Sequence, residues 1–180
     1  MSLPHAILTS LLEKPCSGAE LARRFEKSIG YFWSATHQQI YRELAKLEEA
    51  GLVAASDRES TRGRQRHFAV LPAGREGLER WSLQEQAPRP MRDELMVRLR
   101  AAAVLGTVDL RGELVRHMAL HRAQLDVYRE IEHKDFPGVR GGSGHDASTL
   151  LQHAVLAAGI SFEAAWLAWA EDALAALDRN

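Results

Sequence analysis

Two groups of side chains in this sequence have the types and spacing to do chemistry. The first runs from Ser34 to Arg42 and continues at residues 58–67, where four arginines accompany a single glutamate. Glutamine can pair two-pronged with adenine, and arginine with guanine or phosphate, so Gln38 and Arg42 have the chemistry of base readout, with Gln39 and Tyr41 beside them. Ser34 and Thr36 can reach phosphate oxygens, and His37 suits either role. Arg62, Arg64 and Arg66 concentrate positive charge on a short segment, for which phosphate attraction is the economical reason. The second group is His117 and His121, four residues apart and therefore on one helical face, a spacing that can hold a metal, with His133, His145 and His153 elsewhere. That pair lacks the glutamate of a HExxH motif, so a polar element in a helix seam is the better reading and no metal is expected. The glycine-rich stretch Gly138 to Gly144 lacks the lysine and the preceding strand of a phosphate loop. No catalysis and no cofactor are expected.

The elements that must position these residues can be traced in order. Ile7, Leu8, Leu11 and Leu12 fall at helical spacing behind Pro4, which suits a first helical turn. Ser17-Gly18-Ala19-Glu20 fits a capping box ahead of Leu21, Phe25 and Ile29 on one stripe. After Tyr31-Phe32-Trp33, Ser34 is a good cap for a third helix whose Ile40, Leu44 and Leu47 point inward and which ends near Gly51. At about 100° per residue, Gln38 and Arg42 then lie nearly opposite the inward stripe. Leu52 to Arg58 and Gln65 to Leu71 suit two strands joined by the polar run Glu59 to Arg64, which makes a hairpin with a basic tip. Pro72 opens a fourth helix carrying Leu78 and Trp81. The expected core is Leu8, Leu11, Leu21, Phe25, Ile40, Leu44, Leu47, Leu52 and Phe68.

Three short helices, a hairpin and a helix match a winged helix-turn-helix, in which one helix enters the major groove and the hairpin straddles the adjoining backbone. A polar outer face on the third helix is also what plain solvation would leave. Tyr41 could equally pack between helices with its hydroxyl at the surface.

The chain as a whole has 180 residues, 23 Lys plus Arg against 24 Asp plus Glu, and a net charge of −1. That size allows one large or two small domains, and 46% hydrophobic with 26% charged residues sets disordered and collagen-like classes aside. The balance excludes a simple basic nucleic-acid coat, but residues 1–82 carry +2 and residues 83–180 carry −3. Cys16 stands alone, so an intrachain disulfide or a Cys-rich zinc site is excluded and a reducing, cytoplasmic setting is expected. The start lacks a basic n-region, and no unbroken run of 18 apolar residues occurs, so neither secretion nor a membrane span is expected. Pro88 and Pro90 make helix continuation unfavourable and mark a boundary between residues 1–86, the expected DNA-binding domain, and residues 91–180.

Beyond the boundary, Leu95, Leu99 and Ala102 make a modest stripe. Asp109 can cap a longer helix reaching about Asp135, with Leu114, Met118, His121, Leu125 and Tyr128 alternating four and three residues apart as in a bundle seam. A final helix from about Asp146 repeats the device with Val155, Ala158, Phe162, Ala165, Trp169 and Ala173. Such Ala-rich seams are marginal alone, so pairing across a two-fold axis is expected, with Leu114, Met118, His121, Leu125, Tyr128, Val155, Phe162, Trp166 and Trp169 at the interface. Trp166, Trp169, Phe162 and Tyr128 could also line a pocket for a small aromatic effector, which would act by favouring one arrangement of the two winged domains. The bland alternative is packing alone.

Trp33-Ser34, Gln39-Ile40-Tyr41-Arg42-Glu43-Leu44 and Leu47-Glu48-Glu49-Ala50-Gly51-Leu52-Val53 together resemble the recognition-helix signature of the PadR family of bacterial transcriptional regulators. Gly63-Arg64 with Arg66, then Leu71-Pro72-Ala73-Gly74-Arg75, are similar to that family's basic wing and following helix start, with Leu71 where the family often has threonine. The resemblance covers roughly residues 5–82. Residues 91–180 resemble, in architecture only, the longer virulence-activator-like helical extension of one subfamily. The resemblance implies a mainly α fold, a winged helix-turn-helix followed by an antiparallel helical dimerisation domain. It implies a homodimeric repressor, less often an activator, reading a palindromic operator in double-stranded DNA. On it Ser34, Thr36, His37, Gln38, Tyr41, Arg42, Arg64 and Arg66 inherit DNA contacts, and Gln39 and Arg62 inherit them more weakly. The alternative is a winged-helix module turned to protein–protein interaction.

Overall fold

Helix α1 (Leu3–Glu13) places Ile7, Leu8 and Leu11 on one buried face, and the chain then makes a short strand β1 (Cys16–Ser17) before α2 (Gly18–Lys27). The structure is a computed structural model; it describes residues 3–27, 35–60, 63–88, 90, 92–139 and 144–178, and of residues 26, 27, 58–60, 63 and 64 it describes the backbone only. It divides into two units, Met1–Pro88 and Arg89–Asn180.

The expected capping box at α2 forms. The Glu20 amide donates to Ser17 Oγ at 3.3 Å, and Glu20 Oε2 accepts from the Ser17 amide at 2.9 Å. Helix α3 (His37–Glu49) buries Ile40, Leu44 and Leu47. It closes on Gly51, whose φ of +68° is the left-handed turn glycine tolerates best; the Leu52 amide then donates to the Leu47 carbonyl and the Gly51 amide to that of Glu48, both at 2.9 Å. Strands β2 (Val53–Ser60) and β3 (Gly63–Val70) pair antiparallel from Val53 opposite Val70 to Ser60 opposite Gly63. β1 adds to the other edge of β3, giving the order β1-β3-β2. Helix α4 (Pro72–Ser82) starts on a proline at its first position. Its Gly74 is obligatory in space, because a β-carbon there would run into the Leu52 carbonyl. His5 of α1 stacks on Trp81 of α4, with ring centroids 4.1 Å apart. One core of Ile7, Leu8, Leu11, Leu21, Phe25, Ile40, Leu44, Leu47, Val53 and Phe68 ties these elements into a winged helix-turn-helix.

Three expectations change. The expected polar loop from Glu59 to Arg64 is mostly ladder: Arg58 pairs with Gln65 and Glu59 with Arg64, so only residues 61 and 62 lie between the strands. The third helix takes Thr36 as its cap, two residues after Ser34, and Ser34 lies outside the described residues. Leu52 is half-buried, because its backbone carbonyl, accepting from Leu71, is the group that serves the fold.

In the second unit, α5 (Glu94–Leu105) is capped by Asp93, which accepts from the Leu95 amide at 2.8 Å, and ends on Gly106 at φ +67°. Helices α6 (Arg111–Asp135) and α7 (Ala147–Asp178) lie antiparallel, from Arg111 paired with Asp178 at one end to Glu132 paired with His153 at the other. The seam read from the sequence as an interchain contact is filled within the chain. Leu114, Leu125 and Tyr128 are buried, and Met118, Trp166 and Trp169 pack around Leu95, Leu114 and Ala170. Gly159 admits the Tyr128 ring, since a β-carbon there would stand 3.0 Å from it. Of the residues expected at an interface, Val155 and Phe162 remain open, at 50% and 60% exposure. α7 is also, among the described residues, the one helix long and apolar enough by composition to cross a membrane. Polar interruptions such as Gln152, His153 and Ser161 hide that property from a search for an unbroken apolar run.

Candidate nucleic-acid interface

The outer face of α3 is held outward by its buried stripe. Because Ile40, Leu44 and Leu47 anchor one side, His37, Gln38, Gln39, Tyr41 and Arg42 are all exposed. Those five do not stand in equivalent settings. Thr36 and Gln39 close a reciprocal cap: the Gln39 amide donates to Thr36 Oγ1 at 3.2 Å, and Gln39 Oε1 accepts from the Thr36 amide at 2.8 Å. The acceptor half of the Gln39 side chain is therefore spent on the backbone. Tyr41 leans on the start of α2, its Cε1 only 2.5 Å from where a β-carbon on Gly18 would be, yet it keeps 48% of its surface exposed. It is at once a helix–helix contact and an outward-facing ring. Gln38 and Arg42 are exposed and carry no side-chain bond among the described residues.

The wing arginines are also unlike one another. Arg62 lies outside the described residues, and Arg64 is placed by its backbone alone, opposite Glu59. Arg66 is tied down. Its Nη2 donates to Glu48 Oε1 of α3 at 2.6 Å, its guanidinium carbon lies 5.5 Å from the Phe68 ring centroid, and its ladder partner is Asp57. Sequence reasoning weighed the cations of this hairpin, with one glutamate among residues 58–67, and missed the Glu48 carboxylate that bonds Arg66 and the Asp57 that stands opposite it. The strand register would have exposed Asp57, because directly opposed residues share a sheet face. The capping box was legible too, as Thr36-His37-Gln38-Gln39 has the required spacing.

Beside α3, the start of α2 carries a carboxylate. The Ser17 amide and hydroxyl both bond Glu20 and hold its carboxyl below the usual carboxylate range.

Three histidines of the second unit have carboxylate partners. His121 Nδ1 lies 2.5 Å from Glu163 Oε2, with Glu163 only 7% exposed, and the His121 ring stacks on Trp166 at 3.7 Å between centroids. His117 lies 3.3 Å from Glu113, and His153 pairs with Glu132 at 2.8 Å. Among the described residues no three His, Cys, Asp or Glu side chains converge as metal ligands. The aromatics considered for an effector divide: Tyr128 is buried, Trp166 and Trp169 meet edge to face at 5.4 Å, and Phe162, 60% exposed, borders them through His121, the Phe162 and His121 ring centroids being 6.3 Å apart.

Residues 7–80 match the family model described as the transcriptional regulator PadR-like family, and residues 91–178 match the one described as virulence activator alpha C-term. The chain is 38% identical over 191 aligned residues to a probable transcriptional regulator of Mycobacterium tuberculosis, covering 100% of both. Its structure superposes on the Vibrio cholerae virulence activator AphA with a TM-score of 0.79 at 34% identity, covering 99% of each chain. Bacillus subtilis PadR shares the fold. In complex with operator DNA it gives a TM-score of 0.83 at 24% identity over 97% of each chain, and in complex with p-coumaric acid 0.78 at 23% over 99% of each.

Proposed function

The chain belongs to the PadR-like family of transcriptional regulators, and from that premise we propose that it is a cytoplasmic, homodimeric repressor that binds a palindromic operator in double-stranded DNA. Residues 1–86 form the DNA-binding domain and residues 91–180 the dimerisation domain. In this reading α3 lies in the major groove, where Gln38 and Arg42 read bases and His37 and Tyr41 support them, while Ser34 and the wing residues Arg62, Arg64 and Arg66 meet phosphates. Thr36 and Gln39 contribute chiefly by holding the start of the helix. The observation that carries the reading is the exposed Gln38–Arg42 face of α3, fixed by a fully buried stripe and standing beside a basic hairpin.

Repression is supported by the Bacillus relative, a negative transcriptional regulator, whereas AphA is a virulence activator. A small aromatic effector is supported by the p-coumaric acid complex of PadR and by the ring surface that Phe162, Trp166 and Trp169 bring to one stretch of α7.

Fluorescence anisotropy with DNA from immediately upstream of the protein's own gene, at two salt concentrations beside a scrambled duplex, tests the core of this reading. Tight, salt-sensitive binding that prefers the upstream duplex is expected, together with release when a small aromatic acid is added. Equal binding to both duplexes would count against operator recognition there and favour the protein-interaction alternative.

A further inference from the structure

The hydrogen-bonded pair of Glu48 and Arg66 joins the two elements that would touch DNA, the last turn of α3 and the base of the wing. We propose that Glu48 is a positioning residue that competes with DNA phosphate for Arg66, and so limits how much sequence-independent affinity the wing supplies. The inference rests on the DNA-binding reading and deepens it.

Four observations lead there. The contact is short, 2.6 Å, and is made by a charged donor and a charged acceptor. It is exposed, with 59% of the Arg66 side chain and 33% of that of Glu48 open to solvent, so the pair contributes little net stability and can exchange for another anion at little cost. Arg66 also lies over the Phe68 ring, its guanidinium carbon 5.5 Å from the ring centroid, and stands across the ladder from Asp57, so the Glu48 bond is what draws its guanidinium to α3. Finally, the one lysine of α3, Lys46, pairs with Glu43 at 3.4 Å, while Glu48 pairs with Arg66 of the wing. A phosphate arriving between wing and helix meets a guanidinium already neutralised. It gains the arginine only by displacing Glu48, and it then faces a released carboxylate.

That arrangement discriminates. A duplex that seats α3 fully can repay the exchange through base contacts, whereas a non-specific duplex has only the phosphate to offer. Removing the carboxylate while keeping the shape should therefore help the wrong DNA more than the right one.

The test is E48Q in the full-length protein, titrated against the upstream and the scrambled duplex between 50 and 200 mM salt, with R66A and the E48Q/R66A double variant alongside. Arg66 freed for one more phosphate steepens the log–log salt slope by about 0.9, which over that range is an additional loss of about 3.5-fold. The expected result is a gain of several-fold for the scrambled duplex at low salt, a smaller gain for the upstream duplex, an unchanged thermal midpoint, and disappearance of the gain in the R66A background. Unchanged or weaker binding by E48Q would overturn the proposal, since a mere brace would do that. A gain that persists without Arg66 would overturn it equally, because Glu48 would then act by simple repulsion. Wild-type protein without salt-sensitive DNA binding would instead overturn the DNA-binding reading itself.

Discussion

Thr36 and Gln39 show how a residue type suited to DNA can be committed to its own backbone. Both are polar and exposed at the front of α3, yet each satisfies an amide of the other, and the first turn of the helix depends on them. T36A should therefore cost about 1 kcal/mol of stability, the usual price of losing such a cap, and should weaken binding to upstream and scrambled duplexes in the same proportion. Q38A should do the reverse, changing preference between duplexes while leaving the melting temperature nearly in place. Thermal melts by circular dichroism beside the same titrations separate the two. If T36A altered preference without lowering the melting temperature, Thr36 would belong to the reading face. Tyr41 and Gly18 make a related point: the sequence left a packed ring and a DNA-facing ring as alternatives, and the side chain is half of each, because Gly18 lets it lie down without burying it.

At the scale of elements, helix starts in the second unit depend on charge. Asp109 accepts from the Arg111 amide, Asp146 accepts from the Thr149 amide, and each carboxyl is thereby held below its usual range. Glu113, beside the Arg116 guanidinium in the first turn of α6, is lowered to about 2. A carboxyl whose folded pKa is depressed lends stability that is fully present above its unfolded value and is lost as pH falls through the folded one. Acid loss of α6 and α7 should accordingly begin below about 4.5 and continue toward about 2, and R116Q should confine it to the upper part of that window. Far-UV circular dichroism against pH checks this; helicity that is already lost at neutral pH, or an R116Q profile identical to wild type, would contradict it. The seam on α6 was readable because Leu114, Met118, His121, Leu125 and Tyr128 repeat at bundle spacing. What covers that seam was not readable, since the repeat specifies a partner helix and not the chain it comes from. In the structure it is α7 of the same chain that covers the seam, after a connection over residues 136–146. In the winged unit, by contrast, the helices, the core stripes and Pro72 were legible from local spacing, while β1 escaped because two residues, Cys16 and Ser17, are too few to show a period.

Once α7 has covered α6, the second unit still leaves large apolar side chains in the open, among them Val104, Leu105, Leu120, Leu151 and Phe162. A soluble monomer rarely leaves so many exposed on one small unit, so something covers them. A bilayer would suit α7 by length, but α7 is bound along its other side to a heavily charged partner helix, and it carries the buried Glu163 paired with His121. The proposed homodimer supplies a better occupant, a second copy of the chain, which would bury apolar surface on both copies at once and match the symmetry of the proposed palindromic operator. The residues to alter are those that the single chain does not need. Sedimentation should find the wild-type protein dimeric at micromolar concentration, and F162E should shift it toward monomer without unfolding it, since the Phe162 ring is mostly exposed already. The same variant should lose far more affinity for a duplex with two half-sites about 34 Å apart than for one with a single half-site, because only the former draws on the linked pair of domains. A variant that unfolds would place Phe162 within the fold of one chain. A variant that stays dimeric and binds both duplexes as before would mean that the two copies meet elsewhere, leaving this apolar face for a different partner.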